Sequence, residues 1–260
     1  MIPWHAWWLV WLLAALAQAA AWLWAQRTRN ATLVDAVWAS GVGGSAVLLA
    51  ALGPGAAGPR ALLAVAGGAW GLRLGVHLWA RVREGHEDGR YQALRERWGE
   101  RPLPWFLFFQ FQAALVALFA LPFLPVAANP NGRMHVVTVL AIGLWIVAVG
   151  GESMADRQLA RFRADPSTAG TVCRQGLWRY SRHPNYFFEW LHWFAYPLLA
   201  IGAPMAWLAW LGPVLMYVFL RWLSGIPHTE AQALRSRGDA YRDYQRTTPM
   251  LIPWFPRRSR

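Results

Sequence analysis

The chain has 260 residues, 56% of them hydrophobic, a positive mean hydropathy of +0.22 and a formal net charge of +12. Such a composition excludes an ordinary water-soluble domain and points to residence in a bilayer. The basic residues are all arginine and sit in alternate loops rather than on one continuous face, which excludes nucleic acid as a partner; the single cysteine, Cys173, excludes an internal disulfide and a paired-cysteine metal site, and no metal is expected.

A bilayer core needs about 20 apolar residues per helix, and on that scale the sequence predicts an all-α bundle of about seven transmembrane helices. The spans fall near Trp4–Ala25, Thr32–Leu52, Ala61–Val82, Leu103–Val126, Met134–Gly150, Phe187–Ile201 and Met205–Leu223. The first apolar run is longer than the 7–15 residue core of a cleavable signal and lacks a basic stretch before it, so it reads as a retained helix. Several of the nineteen tryptophans, among them Trp4, Trp8, Trp105 and Trp254, flank apolar runs, where the indole favours the headgroup level.

Arginine counts set the expected orientation, because cytoplasmic loops carry the positive excess. The loop after the first span holds two, the segment 81–101 six, the segment after the fifth span six and the tail seven, against one each (Arg60 and Arg133) in the loops after the second and fourth. This places the N-terminus outside and the C-terminus in the cytoplasm. The segments 81–101 and 156–182 and the tail from His228 are polar and share that inner side, where together they are expected to cap the bundle with a chamber for a charged cofactor. The sequence reads as one membrane domain, with residues 1–130 supplying substrate-binding helices and residues 140–256 a cofactor-binding half.

Gly41-Val42-Gly43-Gly44-Ser45-Ala46 fits the spacing of a dinucleotide fingerprint but has no strand before it, and it lies inside a span. Helix packing through small residues is the expected role, and the same holds for Gly67, Gly71 and Gly75. Ionisable residues at membrane depth are costly and mark partners or function. Asp35, Arg73 and His77 are the catalytic candidates; Arg73 and His77 are four apart and share a helix face, while Asp35 is open either to a structural ion pair with Arg73 or to holding a substrate oxygen. Trp38 and Trp70, with Asp35, are the candidate substrate contacts. Glu152, Asp156 and Arg163 form one stripe if the fifth span continues as helix beyond the membrane. That stripe suits ribose and phosphate, or else is a solvated face.

The densest segment is Arg174-Gln175-Gly176-Leu177-Trp178-Arg179-Tyr180-Ser181-Arg182-His183-Pro184-Asn185-Tyr186, followed by Glu189. Pro184 suits the first turn of a new helix, and a helix N-terminus offers free amides to a phosphate. Ser181 to Tyr186, with Asp156 and Arg163 upstream and His228-Thr229-Glu230, Tyr241, Tyr244 and Leu251-Ile252-Pro253 downstream, resembles the steroid 5-alpha-reductase family and its sterol reductase relatives, well over roughly residues 140–256 and weakly before. The resemblance implies that Glu152, Asp156, Arg163, Arg174, Arg182, His183, Asn185, Tyr186, Glu189, His228, Glu230, Tyr241 and Tyr244 surround NADPH, with Arg90 and Tyr91 closing the chamber. It also implies an acid and a tyrosine that hold the substrate's carbonyl; Asp35 is the candidate acid, and His77 or Trp70 stands near the tyrosine's place.

The expected activity is NADPH-dependent reduction of the 4,5 double bond of a 3-oxo steroid or similar lipid enone. It would be carried out by a monomer in a bacterial inner membrane with a lipid-dissolved substrate. The competing reading is an S-adenosylmethionine-dependent methyltransferase similar to the isoprenylcysteine carboxyl methyltransferases, which carry a comparable Arg-His-Pro turn; a non-enzymatic lipid-binding protein is the third. Asp156, Arg163 and Asn185 favour the reductase.

Overall fold

A computed structural model describes residues 1–257, so Arg258 and Arg260 of the tail lie outside the described residues. The protein is an all-helical integral membrane bundle, with no strand among the described residues. Its helices are α1 (Trp4–Thr28), α2 (Leu33–Leu52), α3 (Ala57–Arg83), α4 (Gly89–Trp98), α5 (Pro102–Ala120), α6 (Phe123–Ala127), α7 (Val136–Ala164), α8 (Pro184–His192), α9 (Ala195–Leu199), α10 (Leu211–Val218) and α11 (Ile226–Thr247). They divide into two compact units, residues 1–134 with 199–211, and residues 135–198 with 212 onward.

In the first unit, α1 is apolar on every side from Ala6 to Ala25 apart from Gln18, as suits a helix shared between protein and lipid. Glycine brings α2 and α3 together. A Cβ on Gly43 would stand 2.6 Å from the Gly71 Cα, and one on Gly75 would stand 2.7 Å from the Ser40 Oγ, so the two backbones approach as only small residues permit. The Gly41–Ala46 sequence thus packs helices, as its spacing inside a span predicts. Beyond α3, Gly85 turns the chain with a φ of +80°. Asp88 then caps α4 by accepting from the Arg90 N–H at 3.0 Å. Pro122 ends α5, and the Asn129 side chain donates to the carbonyls of Leu199 (2.7 Å) and Ile201 (3.3 Å), tying the 199–211 segment to this unit.

In the second unit, α7 runs unbroken for 29 residues. At 1.5 Å per residue that is about 43 Å, longer than a bilayer core of about 30 Å. The helix therefore carries Glu152, Asp156 and Arg163 on one continuous surface. His183 and Pro184 start α8 with proline in the first turn, where a missing N–H costs nothing.

Six helical stretches among the described residues are long and apolar enough to cross a membrane: α1, α2, α3, α5, α7 and Ala206–Thr247. The expected sixth span, Phe187–Ile201, is not one of them. It breaks after His192 into α8 and the five-residue α9, because Pro197 has no N–H to donate to Trp193 and its ring crowds that carbonyl. The expected seventh span lies within the sixth stretch, which changes character along its length. α10 passes through a widened turn at Phe219–Leu223 into α11, a strongly amphipathic polar helix kinked at Gly238 (φ +50°, ψ −122°).

Candidate functional site

Within the first unit, the loop after α3 folds onto the start of α2 through a connected charge network. Asp35 accepts from the Arg90 guanidinium and from the Tyr91 hydroxyl, each at 2.6 Å. Asp88 binds Arg90 at 3.0 Å and Arg81 at 2.8 Å, while its backbone N–H donates to Thr32. Glu87 holds Arg95 at 2.8 Å and accepts from the Ala31 N–H. Burial pushes the Asp88 carboxyl up, but the hydrogen bonds and charge of Arg90 and the charge of Arg81 outweigh it and hold the group at about 2. Burial, with the charge of Asp35 added, pushes the Tyr91 hydroxyl well above its ordinary value, so it remains a proton donor at any physiological pH.

This network revises the sequence assignments around Asp35. Its partners are Arg90 and Tyr91 rather than Arg73, and the tyrosine placed against the acid is Tyr91 rather than a residue at 77 or 70. His77 is exposed on α3 and Arg73 half-buried; four-residue spacing put them on one face but did not say which way that face turned. Trp70 is fully buried, and the half-buried Trp38 packs edge-on to it (centroids 6.4 Å apart) and to Phe119 (5.4 Å).

A cavity of about 780 Å³, within the range of about 300–1,000 Å³ typical of ligand pockets, is walled by α1, α2 and α3, with Val116 of α5. Its walls are mostly aliphatic and small; Gln18, Ser40, Ser45, Trp79 and Arg83 supply polar side-chain atoms, and Asp35, Arg73, His77 and Tyr91 are not among the lining residues. The neighbours of Asp35 on α2, Ala36 and Val37, do line it.

Within the second unit the dense arginine segment forms a scaffold. Glu230 on α11 accepts from Arg182 Nε at 2.7 Å, from Gln245 at 2.9 Å and lies 3.1 Å from His183 Nε2. The second arm of Arg182 donates to the carbonyls of Gln245 and Thr248, both at 2.9 Å. Tyr244 donates to the Trp178 and Ser181 carbonyls, and Ser181 bonds the Leu251 carbonyl at 2.8 Å. Arg174 pairs with Asp243 at 2.8 Å and lies over the Tyr244 ring. Burial keeps the His183 imidazole below its ordinary value despite Glu230 beside it, and the ring stacks on Tyr186, whose hydroxyl meets Thr229 at 3.1 Å. Arg182, His183, Tyr244 and Arg174, expected around a nucleotide, thus knit the segment to α11. Tyr241 is buried against Tyr244, Glu189 is buried and accepts from Trp193 at 3.4 Å, Glu152 is buried on α7 and His228 is half-buried.

A different subset remains open to a ligand. Asn185 donates to Asp156 at 3.2 Å, joining the start of α8 to the α7 stripe. Arg163, on the same stripe, lies close enough to Arg237 of α11, Asp156, Cys173 and Tyr186 to feel their charges, yet forms no ion pair among the described residues. Among the described residues Arg237 itself binds the Thr171 carbonyl (2.8 Å) and Ser236 (3.3 Å). Two guanidiniums near enough to feel each other's charge and held in no ion pair among the described residues fit a phosphate, and the neighbouring acid and amide fit sugar hydroxyls and a carboxamide. The donor set therefore fits a phosphorylated nucleotide through Arg163, Arg237, Asp156 and Asn185.

The chain belongs to the family described as a protein of unknown function (DUF1295). It matches that family over residues 21–248, a stretch reaching into both units. No curated protein and no solved structure matches it. Sequence reasoning passed over Arg237 and Gln18. Arg237 carries no signal in the sequence apart from its charge, whereas Gln18 is a polar residue within an apolar run of about 24 residues.

Proposed function

We propose that this chain is a multi-pass protein of a bacterial inner membrane, with its C-terminus in the cytoplasm, that uses NADPH to reduce the carbon–carbon double bond of a steroid-like lipid enone. The observation that carries the reading is that Arg163 and Arg237 are near enough to feel each other's charge and form no ion pair among the described residues, next to the bonded pair Asp156 and Asn185. Arg163 and Arg237 would hold phosphate, and Asp156 and Asn185 the sugar and carboxamide. The lipid is assigned to the cavity of the first unit, whose volume and aliphatic walls suit a rigid apolar body.

When bound, the reduced nicotinamide supplies a hydride to the β carbon of the enone. The protein's own contribution is at the carbonyl. Tyr91, held protonated by burial and by Asp35, donates its hydroxyl to the carbonyl oxygen in place of Asp35 and stabilises the charge that develops there, while Arg90 balances the Asp35 carboxylate. Water supplies the proton taken up at the α carbon.

Purified protein in detergent, titrated separately with NADPH and S-adenosylmethionine, tests the cofactor. NADPH at about a hundred times its dissociation constant should stabilise the fold by about 2.7 kcal/mol, and stabilisation by the methyl donor alone would overturn the reading. For the chemistry, progesterone with NADPH should give the 4,5-reduced product. Tyr91→Phe should slow turnover roughly a hundredfold, the loss common for one oxyanion donor, with NADPH affinity unchanged.

A further inference from the structure

The cavity of the first unit is a slot with a single polar end. α1 and α3 both pack on α2 and leave its small residues Ser40, Gly41, Gly44 and Ser45 as a floor between them; a Cβ on Gly44 would meet nothing within 4 Å. Leu13 of α1 and Leu72, Val76 and Trp79 of α3 line the slot and are also exposed, so it opens sideways toward lipid.

Helix register gathers the polar groups at one end. Gln18 is the last lining residue of α1, and Arg83 is the last of α3. The Gln18 Nε2 donates to the Val34 carbonyl at 3.4 Å, which sets the amide level with Val34. Gly43 lies against Gly71 and Ser40 against Gly75, and on that antiparallel register Val34 stands level with Ala80, less than one turn before Arg83. Along the slot axis Gln18 and Arg83 are thus about 5 Å apart at 1.5 Å per residue, with Arg83 the farther from the apolar part. That part runs along α2 from Ala36 to Leu48, about 18 Å.

Gln18 is fully buried, and its Oε1 has no hydrogen-bond partner among the described residues. Nearby arginines are neutralised: Arg81 by Asp88, Arg90 by Asp35 and Asp88, Arg95 by Glu87. Arg83 is exposed and forms no ion pair or hydrogen bond among the described residues. A ligand that matches the slot therefore presents, in order, an apolar chain, a hydrogen-bond donor and an anion.

We propose that the slot holds a single-chain anionic lipid with a hydroxyl between its chain and its phosphate, a lysophosphatidate. The chain lies on the α2 floor, the hydroxyl donates to the Gln18 Oε1 and the phosphate binds Arg83. A diacyl lipid has an ester where this hydroxyl stands and offers Gln18 no donor. The inference does not rest on the reductase reading. It adds a second guest to the cavity assigned to the enone, so the two compete, and the lysolipid raises the KM for the enone without changing kcat.

The test is equilibrium binding to the full chain in nanodiscs of phosphatidylcholine, with empty nanodiscs as the blank and neither NADPH nor enone present. Palmitoyl lysophosphatidate should bind about tenfold more tightly than hexadecyl phosphate, which lacks the hydroxyl, and than monopalmitoylglycerol, which lacks the phosphate. Tenfold is about 1.4 kcal/mol, within what a buried acceptor gains from a donor. Gln18→Leu should abolish the preference over hexadecyl phosphate and keep that over monopalmitoylglycerol, and Arg83→Gln should do the reverse. Equal binding of the three by the wild type overturns the proposal, even where a variant does not fold. So does equal or tighter binding of a diacyl phosphatidate, which would make the occupant an ordinary bilayer lipid, or of glycerol phosphate, which would make it a soluble phosphate. Because no turnover is measured, the two readings fail separately. These preferences without enone reduction remove the reductase alone, and enone reduction without them removes this inference alone.

Discussion

Arg90 and Arg163 count equally toward membrane topology, yet Arg90 sits between the carboxylates of Asp35 and Asp88 while Arg163 has another arginine, Arg237, as a neighbour. In the segment 81–101 charge is matched residue by residue, and the result is a clasp that fixes the start of α2. In the second unit Arg182 is matched in the same manner by Glu230, but Arg163 and Arg237 feel each other's charge and form no ion pair among the described residues. Matched arginines serve the fold; the proposed ligand site uses the two that form no ion pair among the described residues.

Substitutions turn that contrast into measurements. The largest loss should come from Glu230→Ala, which strands the nearly buried Arg182 and removes the partner of His183; breaking such a pair costs about 3–5 kcal/mol, read as a fall in thermal midpoint in detergent. Next, Arg90→Ala should cost about 2 kcal/mol, because it opens the Asp35 and Asp88 contacts together. A loss as small as that of an exposed residue would dissolve the distinction between clasp and ligand site.

The clasp should also show an acid limit. Asp88 has a folded value near 2, below its ordinary 3.8, so its contribution is complete above about pH 4 and disappears as the pH falls toward 2. Asp88→Asn should flatten that part of the stability profile. His183 gives a second window, since its folded value is depressed; its contribution is full above the ordinary histidine value near 6.5 and is lost as the pH falls below it. The smallest stability change belongs to Arg163→Ala, within about 0.5 kcal/mol as for other exposed positions, while NADPH affinity falls at least tenfold. A large stability loss with unchanged affinity would reverse the assignment of the pair.

Hydropathy made most of the bundle legible, because a run of about 20 apolar residues has few alternatives in a bilayer. It misled at Phe187–Ile201, where composition satisfied the criterion but Pro197 did not allow one continuous helix. Asp156 and Asn185 each stood out in a distinctive local pattern, but the hydrogen bond that joins them was not legible, since 29 positions of chain separate them. Nor was Tyr91 against Asp35, since 56 positions of chain separate them and only the turn at Gly85 and the cap at Asp88 bring the tyrosine back. The scaffold role of Arg182 and Tyr244 was hidden for a related reason: the groups they bind are mainly backbone carbonyls, which no side-chain motif announces.

The Gly43–Gly71 approach bears on how a guest could enter the first unit. With backbone against backbone there is no side chain at that crossing that can rotate aside, so α2 and α3 behave as one stiff plate. Any widening of the slot must then fall to α1, which faces that plate with aliphatic side chains and a lone amide. Admission of a bulky guest is thus expected to be felt first as a tilt of the amino-terminal helix.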